Sequence, residues 1–260
     1  MVLMKAMALS SGSSGNSFYV EKGEDAVLID AGISTKKILA RMDALGLDAE
    51  KIKAIFITHE HADHIKGADV FARRFNIPIF ATKGTINGGF LCSDEALINS
   101  IKSDETIGIG KLNVEAFLKS HKAAEPVSYS IRSANKKVSI ITDLGFACKG
   151  VNDAIADSNF LFLESNHDIE MLENGHYPYF LKNWIKSDSG HLSNRQAGLA
   201  VLEYGSGKLK NVVLSHLSEK NNCPKLALKT FKKLTKERMD FKAKVSVSLR
   251  SEPTELFKVL

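Results

Sequence analysis

Short apolar runs that end in a histidine or an aspartate recur along this chain of 260 residues. Runs of this length and composition are typical of buried β-strands. Side chains at the carboxyl ends of neighbouring strands meet at one edge of a sheet, where binding sites form. The polar residues that follow these runs are Asp30, His59, His121, Asp143 and His216.

Strand-like runs alternate with helix-like segments in both halves of the chain. Strands are predicted over 2–9, 17–22, 25–30, 54–58, 77–80, 112–119, 126–132, 137–142, 160–164, 211–215 and 244–249. Helices are predicted over 35–46, 63–75, 151–157, 178–186, 194–204 and 224–239. Because each half starts a new sheet, the pattern predicts an α/β fold in four layers, an αββα sandwich of two mixed sheets flanked by helices. We find no repeat or linker and expect residues 1–260 to form one domain.

The bulk composition predicts a cytoplasmic protein that does not enter a membrane. Hydrophobic residues make up 44% of the chain and charged residues 25%, as in ordinary globular proteins. No apolar run is long enough to cross a bilayer, and the first residues lack the features of a signal peptide. The three cysteines are widely spaced, which favours reduced thiols over a disulfide framework.

Positive charge is concentrated near the C-terminus. The formal net charge is +5, and the segment 208–244 holds 11 lysines and arginines against three acidic residues. Such a run is either a solvated helix face or a surface that faces a polyanion, and the sequence leaves both interpretations open.

The segment Thr58-His59-Glu60-His61-Ala62-Asp63-His64 carries the strongest chemical signal in the chain. His59 and His61 are two residues apart at a strand end, so their rings point the same way. Asp63 and His64 follow from the turn that opens the next predicted helix. Imidazoles and a carboxylate that converge so closely favour a bound cation, because both are ligands of zinc, manganese and iron. A surface histidine cluster is the alternative.

HEHADH resembles the HxHxDH signature of the metallo-β-lactamase superfamily. The resemblance implies further ligands at His121 in LKSHKAAEP, Asp143 in IITDLG and His216 in VVLSHLS. It also implies that Asp30 in VLIDAG has a structural role, because this aspartate orients the histidine loop in the superfamily.

Two divalent metal ions, Zn²⁺, Mn²⁺ or Fe, are implied by the same resemblance. Together they would share a hydroxide that attacks a phosphoryl group. One ion would bind three histidines, and the second would bind the remaining ligands and share the bridging Asp143. The first set is His59, His61 and His121; the second is Asp63, His64 and His216, with Asp63 also counted as catalytic.

Two further motifs, FLESNHD and SGHLSN, resemble those of the nuclease branches of the superfamily. A phosphodiester cleavage needs a proton for the leaving alkoxide, and an imidazolium held by a carboxylate can supply it. We assign His191 as this general acid and Glu164 as its orienting partner, both as catalytic residues. The alternative is that His191 helps to cap the following helix. His167 is a further candidate for a substrate phosphate contact.

The whole chain resembles the YycJ/WalJ-like family, from SGSSGN at 11–16 to LSHLSEKNN at 214–222. The resemblance implies a metal-dependent nuclease that acts on DNA, with 5′-to-3′ exonuclease activity. Lys122 and Ser128 depart from the family pattern, in which an acidic residue and a glycine are usual. A tRNA 3′-processing endonuclease, a small-molecule thioesterase or lactonase, and a non-catalytic scaffold remain as alternatives.

The Gly/Ser-rich segment 11–16 joins the first two predicted strands near the expected site. Small residues there let backbone N–H groups approach a phosphate, and Ser13, Ser14 and Asn16 are candidate substrate contacts. An ordinary hairpin loop is the alternative.

Overall fold

The computed structural model describes residues 2–236 and 238–260. Within them the strands are β1 Met4–Ser10, β2 Ser17–Lys22, β3 Asp25–Ile29, β4 Ile52–Phe56, β5 Ile79–Thr82, β6 Ile98–Ile101, β7 Thr106–Ile109, β8 Leu112–Leu118, β9 Val127–Ser133, β10 Lys136–Ile141, β11 Phe160–Glu164, β12 Asn211–Ser215, β13 Lys244–Val247 and β14 Phe257–Lys258. The α-helices are α1 Thr35–Asp43, α2 Ala62–Ile65, α3 Ala68–Phe75, α4 Lys83–Gly88, α5 Lys149–Asp157, α6 Ile169–Asn174, α7 Tyr179–Lys186, α8 Asn194–Tyr204 and α9 Pro224–Thr235. Short 3₁₀ helices span Ala49–Lys51 and Glu95–Leu97.

The strands form two seven-stranded sheets with the same internal plan. The first has the order β14-β1-β2-β3-β4-β5-β6 and the second β13-β12-β11-β10-β9-β8-β7. In each sheet antiparallel pairing at one end gives way to parallel pairing at the other. The parallel strands β3, β4, β10, β11 and β12 direct their carboxyl ends to one edge, where ligands bind in open α/β sheets.

Three apolar layers hold the sheets and helices together. The inner faces of the two sheets share one core, in which the rings of Phe18 and Phe162 are 5.0 Å apart and those of Phe56 and Tyr129 are 5.4 Å apart. A second core lies between the first sheet and α1 and α3, and a third between the second sheet and α5, α8 and α9. The predicted four-layer αββα sandwich is confirmed.

The predicted helix over 63–75 is wrong in one respect, because it is broken into α2 and α3 around Gly67. The backbone N–H of Gly67 donates to Ala31 O at 2.7 Å. A Cβ at this glycine would lie 2.2 Å from Ile33 O, so only glycine permits this approach. Because of this break, α2 is a separate short helix that carries the end of the histidine motif, Asp63 and His64.

Several short elements were not predicted from the sequence, namely β6, β7, β14, α4 and α6. β6 and β7 have only four residues each and are half exposed, which leaves little apolar periodicity to read. The predicted final helix over 224–239 ends earlier, at Thr235, and Glu237 lies outside the described residues. Among the helices of 2–236 and 238–260, none combines the length and hydrophobicity that a bilayer crossing requires.

Candidate metal centre

Polar residues directly beyond the strand ends turn inwards to a common site. Asp30 follows β3, Asp143 lies two residues beyond β10, and His216 follows β12. All three have left-handed backbone conformations, with φ of 61°, 55° and 54°. Aspartate and histidine enter this region more readily than most residues, although it is disfavoured for every residue with a Cβ. The turns carry these side chains away from the strand direction and towards one another.

His59, His61 and His121 form a compact group at this edge. His59 Nε2 is 3.0 Å from His61 Nδ1, and the ring of His121 is 5.0 and 5.2 Å from the other two rings. One nitrogen from each can be chosen so that all lie within 4.8 Å of one another. His121 Nδ1 is 3.2 Å from Gly190 O, so it is placed to donate there and to leave Nε2 free for a ligand.

A second group of possible ligands adjoins the first. His64 Nε2 is 3.1 Å from Asp143 Oδ2 and 3.5 Å from Asp63 Oδ2. His216 Nε2 is 3.9 Å from Asp63 Oδ2, and its Nδ1 is 3.3 Å from Asp143 Oδ1. One possible ligand atom from each of His59, His64 and Asp143 can likewise be chosen so that all lie within 4.8 Å of one another. The two groups are therefore directly adjacent.

Asp30 anchors the loop that carries the histidine motif through its side-chain hydrogen bonds. Its Oδ1 accepts a hydrogen bond from Thr58 N at 2.8 Å, and its Oδ2 accepts from Thr58 Oγ1 at 3.0 Å. The same Oδ2 is 2.7 Å from His64 Nδ1, which directs His64 Nε2 to the site. Thr58 was not assigned a role from the sequence, although it stands directly before His59 in the motif.

Glu164 contacts two histidines. It is completely buried, and its Oε1 is 2.8 Å from both His191 Nδ1 and His216 Nδ1. Its Oε2 accepts from the backbone N–H groups of Leu144 at 2.6 Å and Leu192 at 3.1 Å. Burial alone would raise the pKa of Glu164, but the histidines and hydrogen bonds hold it at about 2. The sequence indicated only the contact with His191, so the contact with His216 is new.

The Gly/Ser-rich loop packs into the site. Asn16 is completely buried, and its Nδ2 lies 3.3 Å from Asp63 Oδ2 and 3.2 Å from His64 Nε2. Ser11 Oγ accepts from His216 N at 2.8 Å. Ser13 and Ser14 are exposed. The buried part of the loop therefore contacts candidate ligands, and only the two exposed serines face outwards.

Two buried bases lie beside the candidate ligands. His167 is buried, burial lowers its pKa to about 4, and its Nδ1 has no hydrogen-bond partner among the described residues. Lys119, which was not assigned from the sequence, donates from Nζ to Thr142 O at 2.8 Å and lies 3.5 Å from His59 Nδ1. Burial lowers the pKa of Lys119. Its position two residues before His121, on the same side of an extended segment, is the signal that could have found it.

The basic C-terminal segment divides into two surfaces. Lys229 and Lys233 line a groove of about 780 Å³ between α6 and α9, together with Arg195, and we call it the α6–α9 groove. Lys232 and Lys236 line a different pocket beside β13, which we call the α9–β13 pocket. Only the α6–α9 groove adjoins the segment that leads from Glu164 through His167, because Asp168 forms part of its wall.

The donors at the strand ends fit divalent cations. Burial lowers the pKa of His59, and of His121 to about 4, which keeps both imidazoles in the neutral form that binds metals. Burial alone would lower the pKa of His64, but the nearby carboxylates, Asp30 first among them, raise it. The same carboxylates would favour a bound cation in place of that proton. His216 Nε2 is buried without a hydrogen-bond partner among the described residues. A buried polar atom of this kind needs a partner, and a metal ion would be one.

The comparisons with known proteins identify the family and the fold. A family model described as the metallo-β-lactamase superfamily matches residues 11–173. Exodeoxyribonuclease YycJ of Bacillus anthracis is 38% identical over 235 residues, 88% of each chain, and exodeoxyribonuclease WalJ of Streptococcus pneumoniae D39 is 36% identical over 228 residues, 86% of this chain and 85% of the relative. The solved metallo-β-lactamase fold protein YhfI from Bacillus subtilis matches 98% of this chain and 99% of its own with a TM-score of 0.72, although only 16% of residues are identical. The chain belongs to the metallo-β-lactamase superfamily and, within it, to the family of YycJ and WalJ.

Proposed function

We propose that this protein is a metal-dependent phosphodiesterase that degrades DNA from an end, in the 5′-to-3′ direction. The observation that carries the proposal is the arrangement around Asp143, which adjoins both groups of possible ligands and lies 3.8 Å from His191 Nδ1. A proton donor thus stands beside a site that suits cations. The relatives YycJ and WalJ are both named exodeoxyribonucleases, which supports DNA as the substrate.

Two divalent ions would be held by the residues that meet at the strand ends. When bound, they supply Lewis-acid activation of the attacking water and of the phosphoryl oxygens. His59, His61 and His121 offer nitrogen donors for one ion. The second ion would bind the other group, namely Asp63, His64, Asp143 and His216.

The protein's own side chains would orient the metal ligands and supply the proton for the leaving group. Glu164 would hold one proton of the His191 imidazolium on Nδ1, so the second proton, on Nε2, would be the one that is transferred. The leaving alkoxide takes that proton as the P–O bond breaks. Asp30 and Asn16 would hold His64 and Asp63 in place and would not touch the substrate.

Asp63→Ala tests the requirement for the ligand set. We expect the purified protein with added Mn²⁺ to release nucleotides from end-labelled duplex DNA, and the variant to release none. A duplex labelled at the 5′ end and a second labelled at the 3′ end report the polarity of digestion, and an RNA of the same sequence reports sugar specificity. Equal activity in the variant would attribute the cleavage to a contaminant.

His191→Ala tests the proton donor separately. We expect the cleavage rate to fall by roughly 10²–10⁴-fold, the usual contribution of a positioned general acid. Metal content, measured by elemental analysis, should stay unchanged because His191 is not needed in either ligand group. Loss of metal together with activity would assign His191 to the ligands and not to proton transfer.

A further inference from the structure

Helix α7 presents aromatic side chains to solvent beside the candidate metal centre. Tyr179 and Phe180 are 78% and 74% exposed, which is unusual for residues of this size. Phe180 and Trp184 are one helical turn apart and therefore share a face. Together with Leu181 they line a pocket of about 390 Å³, and Tyr179 lies outside it.

The opposite wall of this pocket belongs to the metal site. It is formed by His61, one of the three clustered imidazoles, and by Lys122, which directly follows His121. Lys122 is exposed, and its backbone N–H donates to Ser189 O at 3.1 Å, which fixes this segment beside α7. The pocket thus combines flat apolar rings, one cation and a direct opening to the candidate ligands.

The position of α7 relative to the proton donor is fixed by Gly190. A Cβ on this glycine would lie 2.2 Å from Trp184 O and 2.3 Å from Ile185 O, so the end of the helix packs directly on the backbone of the turn. His191 N donates to Ile185 O at 2.9 Å, and the ring of Trp184 meets the ring of His191 edge-on at 5.5 Å. The aromatic wall therefore packs directly against the segment that carries His191.

The dimensions and chemistry of the pocket suit a single nucleobase. Ligand pockets usually measure about 300–1,000 Å³, and this one lies at the small end of that range. Aromatic rings bind bases of any sequence by stacking, because every base has a π-face. A base inside a duplex is already stacked on both sides, and a paired base at a blunt end would bring its partner into a pocket that suits one base, so an unpaired base fits Phe180 best.

We infer that Phe180 and Trp184 form a stacking platform for the unpaired base of the nucleotide at the cleaved end, with Lys122 facing the backbone phosphates. This inference rests on the proposed nuclease function and extends it by naming a frayed or single-stranded DNA end as the substrate that enters the site. The cation at Lys122 complements the phosphates that flank that base.

Phe180→Ala tests the platform, and Tyr179→Ala is the matched control, since both rings are exposed on α7 and only Phe180 lines the pocket. The substrates are a single-stranded oligonucleotide and the same oligonucleotide with abasic sugars at its attacked end. On normal DNA, kcat/KM should fall about 5- to 140-fold in Phe180→Ala and stay unchanged in Tyr179→Ala. On the abasic end the two variants should match the unaltered protein.

Two kinetic results would overturn the inference. One is the same kcat/KM for both variants on normal DNA. The other is a loss in Phe180→Ala that persists on the abasic end, because it would then not depend on a base.

Fluorescence gives a second measurement that does not depend on cleavage. Trp184 is the one tryptophan in the sequence, so intrinsic emission reports on this wall. With Mn²⁺ present, deoxyadenosine monophosphate should quench the emission saturably, deoxyribose 5-phosphate should not, and Phe180→Ala should weaken the quenching titration. Equal quenching by both ligands would refute stacking. If the unaltered protein releases no nucleotide from either DNA, the proposed function fails, and this titration still decides the inference.

Discussion

Replacing Glu164 with glutamine tests whether this carboxylate acts through His216 as well as through His191. The carboxylate accepts four hydrogen bonds, two at each oxygen, from His191, His216 and the backbone N–H groups of Leu144 and Leu192. Glutamine has one acceptor oxygen and one NH₂ group. The backbone N–H groups cannot become acceptors, so the amide oxygen must face them and the NH₂ group must face the histidines.

The histidines can then pair with the NH₂ group only by accepting at Nδ1, which moves their protons to Nε2. For His216 this places a proton on the nitrogen that would bind a metal ion. Metal binding forces the proton back to Nδ1 and leaves that buried donor facing the NH₂ group, at a cost of about 1–3 kcal/mol. We therefore expect metal affinity to fall by about 5- to 140-fold in Glu164→Gln, in the range that is usual for loss of a carboxylate behind a metal-bound histidine.

The assay is a competition titration with a chromogenic chelator, applied to Glu164→Gln, His191→Ala and Glu60→Gln. Glu60 lies in the histidine motif and accepts from Ala124 N, so its replacement controls for the loss of one negative charge. Only Glu164→Gln should weaken metal binding, whereas both Glu164→Gln and His191→Ala should lower the cleavage rate. Unchanged metal affinity in Glu164→Gln would show that this carboxylate acts through His191 alone.

Replacing Lys229 and Lys233 of the α6–α9 groove with alanine should make DNA binding less sensitive to salt. The slope of log DNA affinity against log salt concentration should fall by about two, one for each lost phosphate contact. Lys232 and Lys236, two of the lysines that line the α9–β13 pocket, are the control pair, and an equal effect from replacing them would mean that neither surface binds DNA specifically. Gly32→Ala should lower both metal affinity and the urea midpoint, because a Cβ there would lie 1.7 Å from the carbonyl oxygen of Asp63. Gly207 has nothing within 4 Å of a Cβ, so Gly207→Ala should change neither quantity.

The architecture followed from the sequence because its strands are strongly apolar and end sharply. β10 and β11, for example, are almost completely buried and were predicted within one residue of their observed bounds. The short edge strands β6 and β7 were missed because exposed edges carry mixed polar residues. The break at Gly67 was missed for another reason, since it depends on the approach of Ile33, far along the chain.

Part of the candidate site could likewise be predicted from the sequence, and part of it could not. The metal ligands named from motifs come together because their segments follow strands, and strand order decides where strand ends meet. His191 instead lies in the turn between α7 and α8. The contact of Glu164 with His216 depends on the pairing of β11 with β12, in which Glu164 lies opposite Ser215, directly before that histidine. The wall formed by Phe180 and Trp184 was missed because two aromatics one turn apart on a helix ordinarily indicate a buried face.

The backbone at the site adds an argument that does not depend on motifs. Asp30, Asp143 and His216 all have positive φ, at a cost of roughly 1–2 kcal/mol each relative to ordinary helical or extended backbone. Glycine would remove that cost at each position. The turns alone therefore favour glycine over the residues that are present. Two buried carboxylates and a buried imidazole stand at these positions, which indicates that their chemistry, and not the backbone, is the reason they are there.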